Sequence, residues 1–314
     1  MEGERVHSDF VRALAAAETL DRLPALAHRR SPLPRNPPEI IQHQFVGASY
    51  ADAYSEAERF VDRAFEHWPV GDPGSQSVLD FGSGWGRIDR MLLRRFSPER
   101  IWASDVDAQM TALVQSTLPG VNAVTNGSLP PSAFRSNMFD AVTAFSVFSH
   151  LSERSHRAWA SELGRLTRHG GKVFLTVLEP NFIEQVGRAQ ELVASGIAND
   201  FAEHLAPLLP DVRSARNRAR QGKFVYADGG ADTDGPRSRE FYAWAVAPRF
   251  WLTKVWGGAG FRVESWVPTG ELFEQAMVTL VRTRSARLHR PSALSAREAA
   301  VRLHARWNAA TGRI

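Results

Sequence analysis

The sequence predicts an α/β fold with a doubly wound, mostly parallel sheet of seven strands. Three features of the chain carry this prediction. From Ser77 onward, short apolar runs alternate with helical stretches, which is typical of a parallel sheet covered by helices on both faces. A glycine-rich turn joins the first of these runs to the next helix, and one long insert follows the fifth run before the alternation resumes.

Residues 1–74 are expected to form a helical segment and a linker ahead of the sheet. Apolar residues recur at helical spacing at Phe10, Leu14, Ala17 and Leu20. The proline-rich stretch from Ser31 to Pro38 cannot continue a helix, so we expect it to be a linker. A second amphipathic helix is predicted from about Tyr50 to His67.

Residues 75–283 are expected to hold the sheet. The predicted strands are Ser77 to Phe81, Ile101 to Ser104, Val121 to Val124, Phe139 to Phe145, Lys172 to Leu178, Phe261 to Val267 and Ala276 to Val281. The predicted helices between them are near Gly86 to Phe96, Ala108 to Thr117, Glu153 to Arg168 and Pro248 to Gly258. In the third helix Trp159, Leu163 and Leu166 share one face, and we expect Gly170-Gly171 to end it.

The insert spans residues 180–246 and is predicted to be partly helical. It contains a polar, glycine-rich stretch from Asp228 to Gly235. An excursion of this length from a compact sheet is typical of a lid or a substrate-binding element. After the last strand, residues 284–314 are predicted to form one further helix, from Ala296 to Asn308.

The composition narrows the classes of function. The chain has no cysteine, which excludes disulfides, thiolate catalysis and cysteine-ligated metal sites. Only three of the 38 basic residues are lysines, and the arginines are interleaved with 34 acids along the whole chain, so nucleic acid is not the expected partner. An apolar run of about 18 residues and a signal-peptide pattern are both missing, so we predict a cytoplasmic protein without membrane contact.

The first predicted strand ends in a loop with glycines at Gly82, Gly84 and Gly86. Glycines let the backbone pass close to a ligand, and the first N–H groups of the following helix can face that ligand. The fingerprint of dinucleotide sites places its third glycine at the sixth position, which is Arg87 here. The loop therefore predicts a nucleotide-type site into which NAD fits poorly.

A second test of such a site is an acid at the end of the second strand. A carboxylate there can accept hydrogen bonds from both hydroxyls of a ribose. Asp105 lies at this position, 25 residues after Asp80. Asp107 is the alternative acid, and we favour Asp105.

Four elements in this order resemble class I, Rossmann-like methyltransferases of the small-molecule type, which use S-adenosylmethionine. They are Asp80 before the Gly-x-Gly-x-Gly run, Asp105 with Met110 five residues later, Asn126-Gly127-Ser128-Leu129-Pro130 after the third strand, and Phe139-Asp140-Ala141-Val142 running into Phe145-Ser146, with Gly170-Gly171-Lys172-Val173 before the fifth strand. The resemblance covers residues 75–180 and extends more loosely to residue 283.

The resemblance implies S-adenosylmethionine as the cofactor. Its implied binding residues are Asp80, Gly82, Ser83, Gly84, Gly86, Asp105, Val106, Asn126, Gly127, Ser128, Phe145 and Ser146. The acid at the first strand is expected near the methionine part of the cofactor, and the stretch after the third strand near its adenine.

Transfer of a methyl group from a sulfonium requires mainly that the acceptor atom be held in line, with a base only where that atom must lose a proton. His150 follows the fourth strand and Glu179 ends the fifth, so both lie at the edge where open α/β sheets bind ligands. We predict that these two are the candidate catalytic residues. The alternative for His150 is that it orients its loop or caps the helix near Ser152.

The expected reaction is O-methylation of a small hydroxylated molecule, such as a sugar or a natural product. The alternatives are an RNA or protein methyltransferase, and a non-catalytic protein that binds the same cofactor. No metal is expected, because the candidate ligands Asp228, Asp232 and Asp234 lie in a stretch typical of a solvated loop.

Two further sequence patterns, a proline-containing tetrad and a group of tryptophans, are interpreted as structural rather than functional. Asn36-Pro37-Pro38-Glu39 resembles the tetrad of amino methyltransferases, but its fourth residue is not aromatic and no strand precedes it, so we interpret it as linker. Trp244, Trp251 and Trp256 could stack on an acceptor, although aromatic residues at this density are more often core.

Overall fold

A computed structural model describes residues 7–17, 19, 34–197, 199–229 and 237–283. The predicted helix from Ala296 to Asn308 and the acids Asp232 and Asp234 lie outside these ranges, as do Leu20 and the first part of the predicted linker. Within them, each helix is too short or too polar to cross a membrane.

The chain folds into helices and strands that largely follow the predicted alternation. The helices are α1 (Asp9–Ala15), α2 (Glu39–Val46), α3 (Tyr50–Glu66), α4 (Arg87–Leu92), α5 (Ala108–Thr117), α6 (Glu153–Leu166), α7 (Asn181–Ala194), α8 (Asp200–Leu205), α9 (Val212–Arg220) and α10 (Arg249–Gly258). The strands are β1 (Val78–Phe81), β2 (Ile101–Asp105), β3 (Asn122–Thr125), β4 (Phe139–Ala144), β5 (Thr167–Val177), β6 (Val225–Ala227), β7 (Trp244–Val246), β8 (Phe261–Val267) and β9 (Ala276–Arg282).

Seven of the described strands form one sheet in the order β3-β2-β1-β4-β5-β9-β8. Strands β1 to β5 pair in parallel, whereas β9 runs antiparallel to both β5 and β8. The predicted doubly wound, mostly parallel sheet is thereby confirmed. The strand order reverses between β1 and β4, and sheets of this kind bind ligands outside the carboxyl ends of their strands at such a switch point.

Helices cover both faces of the sheet and enclose two apolar cores. On one face, Tyr54 and Phe60 of α3 are fully buried in the same cluster as Val78 of β1 and Phe174 of β5. On the other face, Trp159 of α6 packs in a cluster with residues of α10. Because α3 contributes to this core, the helix before the sheet is an integral layer of the fold.

The two glycines expected to end the helix after β4 have a different position. Helix α6 ends at Leu166, and Gly170 and Gly171 lie inside β5. A Cβ on Gly171 would stand 2.7 Å from the carbonyl oxygen of Asp140, at the point where the β4–β5 register shifts. The expected helix stop is therefore wrong, because the glycine is required for close approach of two strands.

The predicted linker contains a buried polar centre. Asn36 is 1% exposed, donates to the carbonyl oxygens of Leu14 and Ala17 at 3.0 and 2.9 Å, and accepts from the Tyr54 hydroxyl at 2.5 Å. Helix α2 begins three residues later, at Glu39. Asn36 therefore links the end of α1 to α3 through hydrogen bonds. The interpretation of Asn36 as linker did not predict this role.

The insert after β5 has a core of its own. Apolar residues of α7, α9, β6 and β7 pack together, with Phe182, Val186 and Val212 among them. Strands β6 and β7 form a two-stranded antiparallel sheet, which the residue pattern of the insert does not predict. The end of the insert returns to the main sheet, where Tyr242 bridges to Leu151 just beyond β4.

Candidate active site

A cleft with about 930 Å³ of space, partly open to solvent, lies at the carboxyl ends of β1, β2 and β4. One wall consists of the loop after β1 and the ends of β2 and β3. The facing wall consists of Phe45 and Val46 from α2 and of Arg237, Phe241 and Tyr242 from the end of the insert. The cleft therefore occupies the switch point of the sheet.

Ten of the twelve predicted cofactor-binding residues line this cleft. They are Gly82, Ser83, Gly84, Asp105, Val106, Asn126, Gly127, Ser128, Phe145 and Ser146. Asp80 and Gly86 do not line it. The sequence pattern therefore identified most of one wall.

The three glycines of the loop after β1 have different neighbours, although all three have left-handed backbone angles. A Cβ on Gly84 would point toward the ring of Phe45, 3.3 Å away across the cleft. A Cβ on Gly86 would instead lie 2.8 Å from Leu118 and 3.0 Å from the guanidinium of Arg90, away from the cleft. The missing side chain of Gly86 thus allows the start of α4 to pack closely against the end of α5, and its expected contact with a ligand stays a prediction.

The N–H groups of this loop bind the neighbouring strand. Those of Gly82 and Ser83 donate to the carbonyl oxygen of Ser104 at 2.7 and 3.1 Å. That of Gly84 donates to Oδ2 of Asp105 at 2.8 Å. Helix α4 is only six residues long, so the cleft is shaped by the fixed loop rather than by a long helix N-terminus.

The structure distinguishes the two candidate acids after β2. Asp105 lines the cleft and accepts from the N–H groups of Gly84 and Asp107. Asp107 caps α5 by accepting from the N–H of Gln109 at 2.9 Å. Burial raises the pKa of Asp105, and the nearby charge of Arg237 opposes that rise. Of the two acids, Asp105 is thus the one that faces the cleft.

Asp80 is buried behind the loop, where it is 1% exposed. The hydroxyl of Thr143 donates to its Oδ1 at 2.8 Å. Burial raises the pKa of Asp80 to about 6, and burial together with the charge of Asp80 raises the pKa of Asp89 well above its ordinary value. In this arrangement the side chain of Asp80 bonds to β4 and does not line the cleft, so its expected place beside the methionine part of the cofactor stays a prediction.

The turn after β3 forms the adjoining part of the cleft. The hydroxyl of Ser104 donates to Oδ1 of Asn126, whose Nδ2 donates to the carbonyl oxygen of Gly127 at 2.9 Å. The indole N–H of Trp159 donates to the carbonyl oxygen of Ser128 at 3.0 Å. The amide of Asn126 therefore holds the turn, and Trp159, predicted only as a core residue, also lines the cleft.

His150 lines the cleft beyond β4 and is held on both sides. Its Nδ1 lies 2.8 Å from the carbonyl oxygen of Ala243, so this nitrogen carries the proton and donates it. Its ring stacks on Tyr242, with centroids 4.8 Å apart. Burial lowers the pKa of His150 to about 4, with a smaller lowering by the charge of Arg237. The ring is therefore neutral at pH 7, with Nε2 as an acceptor.

The residue facing Nε2 of His150 is Ser146, whose backbone is left-handed. Its hydroxyl oxygen lies 3.4 Å from Nε2 and accepts from Nε2 of Gln275 at 2.9 Å. Thr176 accepts from the N–H of Ser146 at 2.7 Å and donates to Oε1 of Gln275 at the same distance. Gln275 and Thr176 carried no sequence signal, yet they fix the polar end of the cleft.

Glu179 is not brought to the cleft. Its carboxylate accepts from the indole N–H of Trp266 at 3.0 Å and from the N–H and hydroxyl of Thr269, each at 2.9 Å. These bonds attach the end of β5 to the turn after β8. The position of Glu179 thus favours a structural role over the expected catalytic one.

The aromatic residues of the cleft are not the tryptophans that the sequence singled out. Trp251 and Trp256 are buried in the core, and Trp244 packs between His150 and Phe182. The aromatic lining consists of Phe45, Phe81, Trp85, Phe145, Trp159, Phe241 and Tyr242. Phe45 and Tyr242 belong to segments far apart in the sequence, which explains why no local pattern predicted them.

Within the described ranges, His, Asp and Glu side chains nowhere form a group of three that could hold an ion. Of the candidate carboxylates weighed above, Asp232 and Asp234 lie outside those ranges.

Comparisons with known proteins agree with this architecture. Residues 78–171, from β1 into β5, match the family described as "Methyltransferase domain". No curated protein matches the chain significantly in sequence.

Among solved structures, the PH0226 protein of Pyrococcus horikoshii OT3 superposes with a TM-score of 0.50 at 14% identity, over 74% of this chain and 92% of that one. The magnesium protoporphyrin IX methyltransferase of Synechocystis PCC 6803, with bound SAH, has a TM-score of 0.46 at 15% identity, over 73% and 83% of the two chains. The 1,6-didemethyltoxoflavin-N1-methyltransferase of Burkholderia thailandensis has a TM-score of 0.45 at 15% identity, over 78% and 88%. At such identities, the likeness to the P. horikoshii protein shows the fold alone.

Proposed function

We propose that residues 78–171, which match the family described as "Methyltransferase domain", form a class I methyltransferase domain that uses S-adenosylmethionine, and that the chain O-methylates a small hydroxylated molecule, such as a sugar or a natural product. The observation that carries this proposal is the neutral His150 on the cleft wall, which presents an acceptor nitrogen beside Ser146. A hydroxyl acceptor is the kind of nucleophile that needs such a partner.

The cleft has the features that a bound S-adenosylmethionine requires. Asp105 would hold the ribose hydroxyls, since it lies at the end of β2 and faces the cleft. Because Gly84 has no side chain, the space between its backbone and the ring of Phe45 stays open. When bound, the cofactor supplies a methyl group that its sulfonium has already activated.

His150 would act on the acceptor in two ways. Its Nδ1–H is fixed by Ala243, so its Nε2 can accept a hydrogen bond from the acceptor hydroxyl and thereby orient the oxygen for attack. The same nitrogen can take the proton as the new bond forms. Because the pKa of His150 is about 4, the ring would lose that proton readily and would contribute mainly by positioning.

The shape of the cleft favours a small acceptor over RNA or protein. The end of the insert places Phe241 and Tyr242 opposite the loop after β1, so the site has walls on two sides. Recognition of RNA would instead require an open basic surface and would weaken steeply with ionic strength. We propose that residues 180–246 serve as the element that selects the acceptor.

Two measurements test the proposal. Calorimetric titration with S-adenosylmethionine should give saturable heat, and the absence of heat at millimolar ligand would remove the cofactor from the proposal. Mass spectrometry of reactions with phenols, sugars, bulk RNA and protein should then show oxygen-linked methylation of small molecules only. Methylation confined to RNA or protein, with the small molecules unchanged, would contradict the assigned acceptor class.

A further inference from the structure

The wall of the cleft formed by the insert carries a positive charge that methyl transfer itself does not use. Among the described residues that line the cleft, the arginines are Arg87 and Arg237. Arg87 is 8% exposed and donates to the carboxylate of Glu56 at 2.6 Å and to the carbonyl oxygen of Ala53 at 3.0 Å. Its charge is therefore balanced, which leaves Arg237 as the cation facing the cleft.

Arg237 is held by aromatic rings. Its guanidinium carbon lies 4.4 Å from the ring centroid of Phe45 and 5.7 Å from that of Tyr242. A cation–π contact engages the face of a guanidinium and preserves its formal charge, so the N–H groups on its edge can still donate to an anion. The rings thus position the guanidinium without neutralising it.

The charge of Arg237 acts across the cleft. It lowers the pKa of His150, of Asp105 and of Tyr242, although burial is the largest influence on each. None of the described carboxylates forms an ion pair with Arg237, and Asp105 already accepts from two backbone N–H groups. The cleft thus places an arginine and flat aromatic rings around His150.

We infer that Arg237 determines acceptor specificity by binding a carboxylate, and that the acceptor is an aromatic hydroxy acid. The inference rests on the proposed function, which it narrows from hydroxylated molecules in general to planar anionic ones. Arginine suits this task because its planar fork of donors matches the two oxygens of a carboxylate. Phe45 and Tyr242 provide ring faces of the kind that pack against a planar molecule.

The test compares Arg237→Gln with Arg239→Gln, which changes an exposed arginine two residues away. Each protein is saturated with S-adenosylhomocysteine and titrated by calorimetry with 4-hydroxybenzoate and with the neutral 4-hydroxybenzamide. The wild type and Arg239→Gln should bind the carboxylate at least tenfold more tightly than the amide. Arg237→Gln should lose this preference, and Arg237→Lys should retain part of it. Equal binding of the two compounds by the wild type, or binding of neither, would overturn the inference.

A second titration separates the acceptor from the cofactor as the source of the carboxylate. S-adenosylmethionine carries a carboxylate, whereas 5′-methylthioadenosine does not. Arg237→Gln should bind both within twofold of the wild type. If only S-adenosylmethionine binds more weakly, the guanidinium holds the cofactor and the inference is wrong. Failure of the wild type to bind S-adenosylmethionine would instead defeat the proposed function.

Discussion

The two walls of the cleft differ in how the chain constructs them. The wall proposed for the cofactor consists of short consecutive stretches, from Gly82 to Trp85, Asp105 with Val106, and Asn126 to Ser128. The opposite wall combines Phe45 with residues near 150 and near 240. Backbone hydrogen bonds hold the proposed cofactor wall in place. The opposite wall is held by contacts between aromatic rings and between a ring and the guanidinium of Arg237. Substitutions should therefore be tolerated less on the first wall than on the second.

Gly84→Val should have the largest effect on cofactor binding, because Gly84 belongs to the wall that backbone hydrogen bonds hold in place. A β-branched side chain at a φ of +50° is strained by roughly 1–2 kcal/mol and would also fill the space in front of Phe45. Calorimetry should detect no binding of S-adenosylmethionine. Gly170→Val is the matched control, since Gly170 is also left-handed, at +76°, but has open space around it. Normal binding by folded Gly84→Val would refute the proposed cofactor wall.

His150→Ala tests the opposite wall. Turnover of the acceptor found in the methylation screen should fall by about a hundredfold, because the acceptor hydroxyl loses the nitrogen that orients it and can take its proton, while the affinity for S-adenosylmethionine stays within twofold. His204→Ala, on the exposed helix α8, should leave both unchanged. Full turnover in His150→Ala would mean that the reaction proceeds by positioning through other groups.

The pH dependence of the reaction rate is a further test of the wall that contains His150. The neutral form of His150 is the form that accepts a proton, and its pKa of about 4 keeps it neutral above pH 5. The wild-type rate should therefore show no step near pH 6.5, the ordinary value for histidine, and should fall only as the pH approaches 4. Nitrogen NMR of the ring should report protonated Nδ1 from pH 5.5 to pH 8. A titration of His150 near pH 6.5 would contradict the prediction that the ring is neutral throughout this range.

Asp105→Asn should weaken S-adenosylmethionine binding about tenfold, because a neutral amide replaces a charged acceptor of hydrogen bonds. Asp107→Ala should change that affinity less than twofold. It should instead lower the free energy of unfolding by about 1 kcal/mol, since Asp107 caps α5. Calorimetry and urea denaturation measure the two effects. The reverse pattern would make Asp107 the ribose ligand.

Glu179→Gln should have the smallest effect on activity, with turnover within twofold of the wild type. Its carboxylate accepts three hydrogen bonds from Trp266 and Thr269, so the free energy of unfolding should fall by about 1 kcal/mol. Urea denaturation checks the loss, with the exposed Glu271→Gln as control. A hundredfold loss of turnover would restore Glu179 as a catalytic candidate.

The regular part of the fold could be predicted because its patterns are local. Alternating apolar runs identified the seven strands of the main sheet, and the helical face of α3 was visible in its spacing. The short helix α2 and the β6–β7 pair were missed, since elements of three to eight residues leave little periodicity. Gly170-Gly171 was misinterpreted because glycine serves both helix ends and close strand contacts.

By itself the sequence determined the fold class and the position of the glycine-rich loop, because both are encoded by residues close together in the chain. Only the tertiary structure decided which of the neighbouring polar residues face the cleft. It placed Asp80 behind the loop, turned the Cα–H of Gly86 away from the cleft and bonded Glu179 to the turn after β8. It also brought Phe45 and Arg237 together across the cleft. Such contacts depend on how whole helices and strands pack together. The spacing of residues within one segment does not indicate which distant segments it will contact.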